Sequence, residues 1–195
     1  MNNQAVSVES PRTDKTVFGF WTYIMTDCIL FATLFATYAV LRNNTYGGAD
    51  SHSLFSMPYV LAETLILLTS SFTCGLAVLA ARQQKIRQVG AWLGVTFLLG
   101  LSFVTMELTE FAHLAQEGHS WTASAFLSAF FTLVGTHGLH ITVGLLWILV
   151  MGAFMLKRGL NEHTLRRLTM FSIFWHFLDV VWVFIFTIVY LMGVA

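Results

Sequence analysis

The chain has 195 residues, of which 56% are apolar and 10% are charged, and its formal net charge is zero. Soluble domains carry about 25% charged residues, so this composition excludes a soluble globular domain. The balanced charge also excludes the basic surface that nucleic-acid binding requires. The composition therefore indicates a chain that is surrounded by lipid.

Five apolar stretches follow one another along the sequence. They are residues 17–41, 58–81, 88–111, 123–156 and 168–192. Each is at least as long as the ~20 residues that an α-helix needs to cross about 30 Å of hydrocarbon. Residues 1–16 form a polar tail before the first stretch. The sequence thus predicts an all-α integral membrane protein, in which residues 17–195 form one bundle of five transmembrane helices.

The ten Lys and Arg residues are sorted between alternating ends of these stretches. Nine lie in the N-terminal tail and in the second and fourth connections: Arg12, Lys15, Arg82, Lys85, Arg87, Lys157, Arg158, Arg166 and Arg167. The tenth, Arg42, lies in the first connection. Cytoplasmic loops of membrane proteins are enriched in Lys and Arg. We therefore predict a cytoplasmic N-terminus, and the odd number of spans then places the C-terminus in the periplasm.

Two further patterns concern the packing of the helices and their position in the membrane. Small residues recur at a spacing that lets helices approach closely, in the pairs Ala32/Ala36, Ser71/Gly75, Gly90/Gly94 and Ala125/Ala129. Aromatic residues near the span ends predict belts at the membrane surface, namely Trp21, Tyr38, Tyr59, Trp121 and Tyr190. Pro58 suits the first turn of the second helix.

Any chemistry must lie in the ionisable residues within the spans. They are Asp27, Glu63, Glu107, Glu110, His137, His140, His176 and Asp179. A charge at the centre of a bilayer costs roughly 2.5–3.5 kcal/mol on insertion scales. We therefore expect these side chains to face protein, another subunit or a water-filled cavity. The sequence predicts that they form an intramembrane polar network, in which His140, His176 and Asp179 lie at similar depth with Asp27 nearby.

Their spacing leaves three interpretations open. His137 and His140 are three residues apart on one helix face, as are His176 and Asp179. Such pairs serve in hydrogen-bond networks between helices, in metal or haem sites, or in a proton-coupled carrier built on Asp27 and Asp179. A bis-histidine haem needs ligands on opposite sides of its ring, and a metal site usually needs a third ligand. We therefore assign no catalytic, cofactor or metal residue from the spacing.

Four segments carry a family resemblance. They are THGLHITVG at residues 136–144, FWHFLDVVW at 174–182, YIMTDCILFATLFATYAVL at 23–41 and EFAHL at 110–114. Together they resemble the subunit III family of haem-copper terminal oxidases. Within it, the sequence is most similar to the five-helix subunits of cytochrome o ubiquinol oxidases. The resemblance runs from about residue 16 to the end of the chain, with all five helices in order.

The resemblance implies a role that spacing alone does not give. It implies a non-redox subunit of a proton-pumping, quinol-oxidising complex in the bacterial cytoplasmic membrane. Haem and copper are then expected in partner subunit I, which this chain supports in assembly, stability and sustained proton uptake. The other oxidase subunits and membrane lipids are further expected partners, with a phospholipid in an interhelical cleft. Asp27 stands where many seven-helix relatives have a glutamate.

Overall fold

The structure, a computed structural model, describes residues 11–42, 57–116 and 124–192, without the side chains of residues 11–14 and 158. Five long helices make up these ranges: α1, Pro11–Leu41; α2, Met57–Arg82; α3, Ile86–Gln116; α4, Ala125–Arg158; and α5, Glu162–Ile185. A π-helical segment, Phe186–Leu191, continues α5. Each of the five is long and apolar enough to cross a membrane. The predicted fold class is thereby confirmed, apart from the orientation of the termini.

The helix ends follow from a few residues. Both prolines of the chain, Pro11 and Pro58, lie in first turns, where a missing N–H costs nothing. The Ser124 hydroxyl caps α4 by accepting from the Leu127 N–H at 3.1 Å. α1 begins at Pro11, inside the segment that we predicted as a polar tail, and the first ten residues lie outside the described ranges.

Two tight turns make neighbouring helices antiparallel. After α2, Gln84 adopts a left-handed φ of 58°, and the Lys85 N–H donates to the Ala80 carbonyl at 3.1 Å. This is a Schellman ending built without glycine. After α4, Gly159 has φ 69°, a conformation that glycine adopts without steric cost. Connections this short favour adjacent, antiparallel helices.

The bundle is arranged around α5 and α4. α2 packs against α3 and α5, α4 packs against α3 and α5, and α1 lies at the edge, against α4 and a smaller part of α5. The centre of the core is the indole of Trp175 on α5. A Cβ on Gly144 would lie 2.7 Å from this ring, and one on Gly100 would lie 3.0 Å from it. The Trp175 indole N–H donates to the Ser70 hydroxyl at 3.0 Å, so one side chain joins four helices.

Two packing predictions need correction. Ala32, Ala36, Gly90 and Gly94 are exposed, so their spacing does not mark contacts between helices of this chain. The close approaches occur instead at single glycines, including Gly100 and Gly144, because bulky aromatic rings rather than facing backbones fill the core.

The aromatic belts are also only partly present. Trp21 is exposed, as a belt residue should be, but Tyr38 and Tyr190 are buried within the bundle. Tyr190 lies in the π-helical segment, where its hydroxyl finds a partner inside the protein instead of at the membrane surface. Trp121 lies outside the described residues.

Candidate intramembrane polar site

The eight ionisable residues singled out from the sequence occupy different environments. Five are buried: Asp27, Glu63, Glu107, His137 and Asp179. Glu110 and His140 are half-buried, and His176 alone among the eight is exposed. Within the described ranges, hydrogen bonds do not join these eight groups into one network. The groups lie in separate clusters.

The first cluster holds three carboxyl groups from two helices. Glu63 lies on α2, and Glu107 and Glu110 lie one turn apart on α3, close enough for all three to interact electrostatically. The Tyr190 hydroxyl donates to Glu110 Oε2 at 3.2 Å. No carboxyl oxygen of Glu63 or Glu107 has a hydrogen-bond partner in the part of the chain that the structure describes. Unpaired charges inside a membrane span are costly. The carboxyl groups of this cluster therefore need protons, water molecules or both.

Gly138 is fitted to this cluster. A Cβ at position 138 would lie 2.5 Å from both carboxyl oxygens of Glu107. The carboxyl group of α3 therefore rests directly on the backbone of α4, and any larger residue at position 138 would displace it. This contact gives the glycine of the HGLH sequence a physical reason, which the spacing of its histidines did not indicate.

His137 has an aromatic environment rather than a polar one. Its ring stacks on Trp182, with centroids 5.2 Å apart, and meets the edge of Phe103 at 5.9 Å. Neither ring nitrogen has a hydrogen-bond partner among the described residues. Trp182 is itself fixed by donating to the Thr64 hydroxyl at 3.0 Å. His137 is thus part of the packed core between α3, α4 and α5.

His140 forms a pair with Asp27 across α4 and α1. His140 Nε2 lies 3.5 Å from Asp27 Oδ2, and His140 Nδ1 lies 2.7 Å from the Thr136 carbonyl oxygen. A carbonyl oxygen only accepts, so Nδ1 carries a hydrogen. Nε2 is then the ring nitrogen that faces the Asp27 carboxyl group. The ring of Phe31, centred 5.3 Å from that of His140, covers one side of the pair.

His176 and Asp179 are neighbours on α5 but differ in exposure. His176 Nδ1 lies 2.6 Å from the Ser172 carbonyl oxygen of its own helix, and the ring is exposed on the outside of the bundle. Asp179 is buried towards α2, where the Ser71 hydroxyl is close enough to interact with its carboxyl group. Within the described residues, His140 faces Asp27 of α1, and the hydrogen-bond partner of His176 is the Ser172 carbonyl oxygen of its own helix.

Residues that the sequence did not single out complete these clusters. Trp175 and Trp182, seven residues apart on α5, both donate to hydroxyl groups of α2. The sequence could have indicated their shared role, because two tryptophans seven residues apart in FWHFLDVVW lie on one helix face. Within the described ranges, no three His, Cys, Asp or Glu side chains converge on a common point that could hold a metal ion.

Comparison with known proteins assigns the chain to a family. The family model for cytochrome c oxidase subunit III matches residues 9–194. The chain belongs to the cytochrome c oxidase subunit III family.

Several curated members of the family are similar over most of their length. The chain is 58% identical to the cytochrome bo(3) ubiquinol oxidase subunit 3 of Pseudomonas aeruginosa, over 92% of this chain and 86% of that protein. It is 53% identical to the protein of that name from Pseudomonas putida, with equal coverage. It is 48% identical to the cytochrome c oxidase subunit 3 of Bacillus sp. PS3, over 91% of this chain and 86% of that protein.

Family membership confirms the resemblance noted in the sequence. Subunit III proteins are membrane subunits of haem-copper oxidases, so this chain is a multi-pass protein of the bacterial inner membrane. It is a subunit of an oxidoreductase complex rather than its catalytic subunit. The PS3 relative is a cytochrome c oxidase subunit of similar length, so the length of the chain does not by itself distinguish a quinol oxidase from a cytochrome c oxidase.

Proposed function

We propose that this chain is subunit 3 of a bacterial, proton-pumping ubiquinol oxidase. The observation that carries the proposal is the whole-chain similarity to two ubiquinol oxidase subunits, at 58% and 53% identity, against 48% for the cytochrome c oxidase subunit. In this proposal the haem and copper lie in partner subunit I. The chain packs beside that subunit, supports its assembly and stability, and sustains proton uptake.

The surroundings of the three histidines within the spans support a role without redox chemistry. His137 packs among aromatic rings, His140 faces Asp27, and His176 bonds back to its own helix. Each of the three histidines is thus oriented by groups of this chain. The cation sorting supports a cytoplasmic N-terminus and a periplasmic C-terminus for the proposed subunit.

An apolar groove between α3 and α4 supports the proposed lipid contact. Its volume is about 530 Å³, and Gly90, Gly94 and Gly152 line it with open space above each Cα. Lys85, Arg87 and Lys157 are next in sequence to the groove residues Ile86 and Leu156 at its end. Acyl chains in the groove would place an anionic headgroup beside these cations. The variant Gly94→Leu should reduce the phospholipid that copurifies with the complex, whereas Leu98→Ile on the same helix should not.

Purification of the native complex through a tag on this chain tests the proposed function. We expect a haem-bearing large subunit to copurify, and the complex to reduce oxygen with a ubiquinol and not with reduced cytochrome c. Oxidation of cytochrome c in place of quinol would contradict the donor assignment. A Soret band carried by this chain alone, without a haem-bearing partner, would contradict the non-redox role.

A further inference from the structure

The outer face of α5 is flanked by two different helices. On one side, aromatic rings of α1 contact those of α5, with Tyr23–Phe174, Phe31–Phe177 and Phe35–Phe184 centroids 6.3, 6.4 and 6.3 Å apart. On the other side, Trp175 and Trp182 donate to α2. The residues between these flanks point away from the bundle. They include His176, Val180 and Val183, all of which are exposed.

His176 lies at the middle of this face and presents a hydrogen-bond acceptor. Because Nδ1 donates to the Ser172 carbonyl oxygen at 2.6 Å, the neutral ring has its lone pair on Nε2. Counting from Arg167, His176 is nine residues along the helix, or about 14 Å at 1.5 Å per residue. The exposed nitrogen is therefore well inside the apolar part of the span.

Asp179 and Ser71 lie behind this face, and both are buried. The Ser71 hydroxyl is close enough to interact with the Asp179 carboxyl group, which also interacts electrostatically with His176. Because neither group is open to the outside, the polar group that the face presents is the imidazole of His176, with its acceptor at Nε2.

Lipid tails do not satisfy such a surface. Hydrocarbon supplies no hydrogen-bond donor, and headgroup donors lie at the membrane surface rather than at the depth of His176. Ionisable residues inside membranes face protein or water-filled cavities for this reason. A transmembrane helix of a partner can bring a donor to that depth while its apolar side chains contact Val180 and Phe184, which are 55% and 54% exposed.

We propose that the exposed residues His176, Val180 and Phe184, here called the His176 face, receive a transmembrane helix of another oxidase subunit that presents a hydrogen-bond donor. The outward acceptor of His176, at a depth where lipid offers no donor, is the complementarity that selects this occupant over lipid. This inference rests on the proposed function, since it names the surface through which the subunit joins its complex.

A photo-crosslinking amino acid at Val180 tests the inference in the intact complex. Val180 is exposed beside His176 and makes none of the polar contacts described. Irradiation should join this chain to another oxidase subunit, with the adduct identified by mass spectrometry. The same residue at Leu98 of α3, 64% exposed, measures the background of non-specific adducts. Adducts to lipid alone, or adducts no more frequent than that background, would overturn the inference.

Substitution of His176 gives an independent result. His176→Leu should lower the fraction of this chain retained on the detergent-washed complex about threefold, the effect of one hydrogen bond between membrane helices. His176→Gln, which keeps an acceptor, should restore most of it. Thr105→Val removes an exposed hydroxyl that bonds only to its own helix, at 2.8 Å from the Leu101 carbonyl oxygen, and is the matched control. Retention of His176→Leu at or above the wild-type level would contradict the inference, because a lipid-facing position would favour leucine.

The two experiments separate this inference from the proposed function. If the unmodified chain does not copurify with a haem-bearing subunit, the proposed function fails, and the docking surface fails with it. If the chain copurifies but Val180 gives only lipid adducts, the proposed function stands and the His176 face is wrong.

Discussion

His140 Nε2 lies 3.5 Å from Asp27 Oδ2, and the Nδ1 of the same ring is 2.7 Å from the Thr136 carbonyl oxygen. The contact with Thr136 fixes the tautomer of His140, with a hydrogen on Nδ1. The contact with Asp27 links α1, the helix at the edge of the bundle, to α4. The pair is therefore a contact between two helices.

We predict that Asp27 and His140 are energetically coupled. Asp27→Leu should leave the His140 nitrogen unpaired, and His140→Leu should leave the carboxyl group unpaired, so each single variant loses stability. The double variant should lose less than the sum of the two, with a coupling of about 0.5–3 kcal/mol, the range found for contacting residues. The measurement is the thermal unfolding of the purified subunit in detergent.

A matched control makes this cycle decisive. Thr33→Val, combined with His140→Leu, is the control, because the Thr33 hydroxyl bonds only within α1, at 2.7 Å from the Leu30 carbonyl oxygen. The sequence alone led us to expect one network of His140, His176 and Asp179, with Asp27 nearby. Additive effects of Asp27→Leu and His140→Leu would show that the long contact contributes nothing to stability.

Gly144 and Gly152 lie on the same helix but differ in their surroundings, and we predict opposite effects of alanine. A Cβ on Gly144 would lie 2.7 Å from the buried Trp175 ring, whereas nothing lies within 4 Å of a Cβ on Gly152. Overpacking a core costs typically about 1–3 kcal/mol. Replacing an unconstrained helical glycine by alanine instead favours the helix by about 0.5–1 kcal/mol. Thermal unfolding of the two variants should therefore shift in opposite directions, and equal shifts would contradict the packing of Trp175.

The cluster of Glu63, Glu107 and Glu110 should hold protons at neutral pH. Neither Glu63 nor Glu107 has a hydrogen-bond partner in the described ranges, and three adjacent carboxylates at this depth would repel one another. Infrared spectroscopy of the complex should show carbonyl bands of protonated carboxylic acids that disappear in Glu63→Gln and Glu107→Gln. Tyr190→Phe should shift the Glu110 band, since it removes the donor at 3.2 Å. Glu162→Gln, at an exposed residue that begins α5, is the control. Purely carboxylate bands would contradict the prediction.

The fold could be predicted from the sequence because the bilayer itself sets the length and apolarity of each span. The partners of the polar residues could not. Counting along a helix gives the depth of His140, but its partner depends on which helix lies beside α4, and α1 supplies Asp27 there. The position of Tyr190 near a helix end predicted a membrane-surface residue, whereas the structure buries its side chain beside Glu110.

The packing roles of the glycines were the hardest feature to predict from the sequence. Gly138 stands between two histidines that the sequence offered as possible ligands. The structure shows instead that Gly138 itself is in close contact with the Glu107 carboxyl group. A pattern of small residues does not distinguish a glycine under a bulky ring, such as Gly144, from one in open space, such as Gly94. The difference depends on a side chain of another helix, which no local spacing records.

Substitution of the histidines should not change the haem and copper content of the complex. Single substitutions His137→Ala, His140→Ala and His176→Ala should leave the haem and copper per partner subunit I unchanged, because each ring is oriented by groups of this chain. Pyridine haemochrome and metal analysis of the purified complex would measure this. Loss of one haem per complex, with the large subunit still present, would show that this chain supplies a ligand.

We predict the orientation of the bundle from the positions of its cations. The turn between α2 and α3 carries Arg82, Lys85 and Arg87, and the turn between α4 and α5 is flanked by Lys157 and Arg166. Because the helices alternate in direction, both turns lie at the same end of the bundle, as does the start of α1. Nine of ten Lys and Arg residues thus share one side, which the positive-inside rule assigns to the cytoplasm. Reporter fusions should therefore be cytoplasmic at Gln83 and periplasmic at Gly48 and Ala195. A cytoplasmic reporter at Ala195, or a periplasmic one at Gln83, would overturn this orientation.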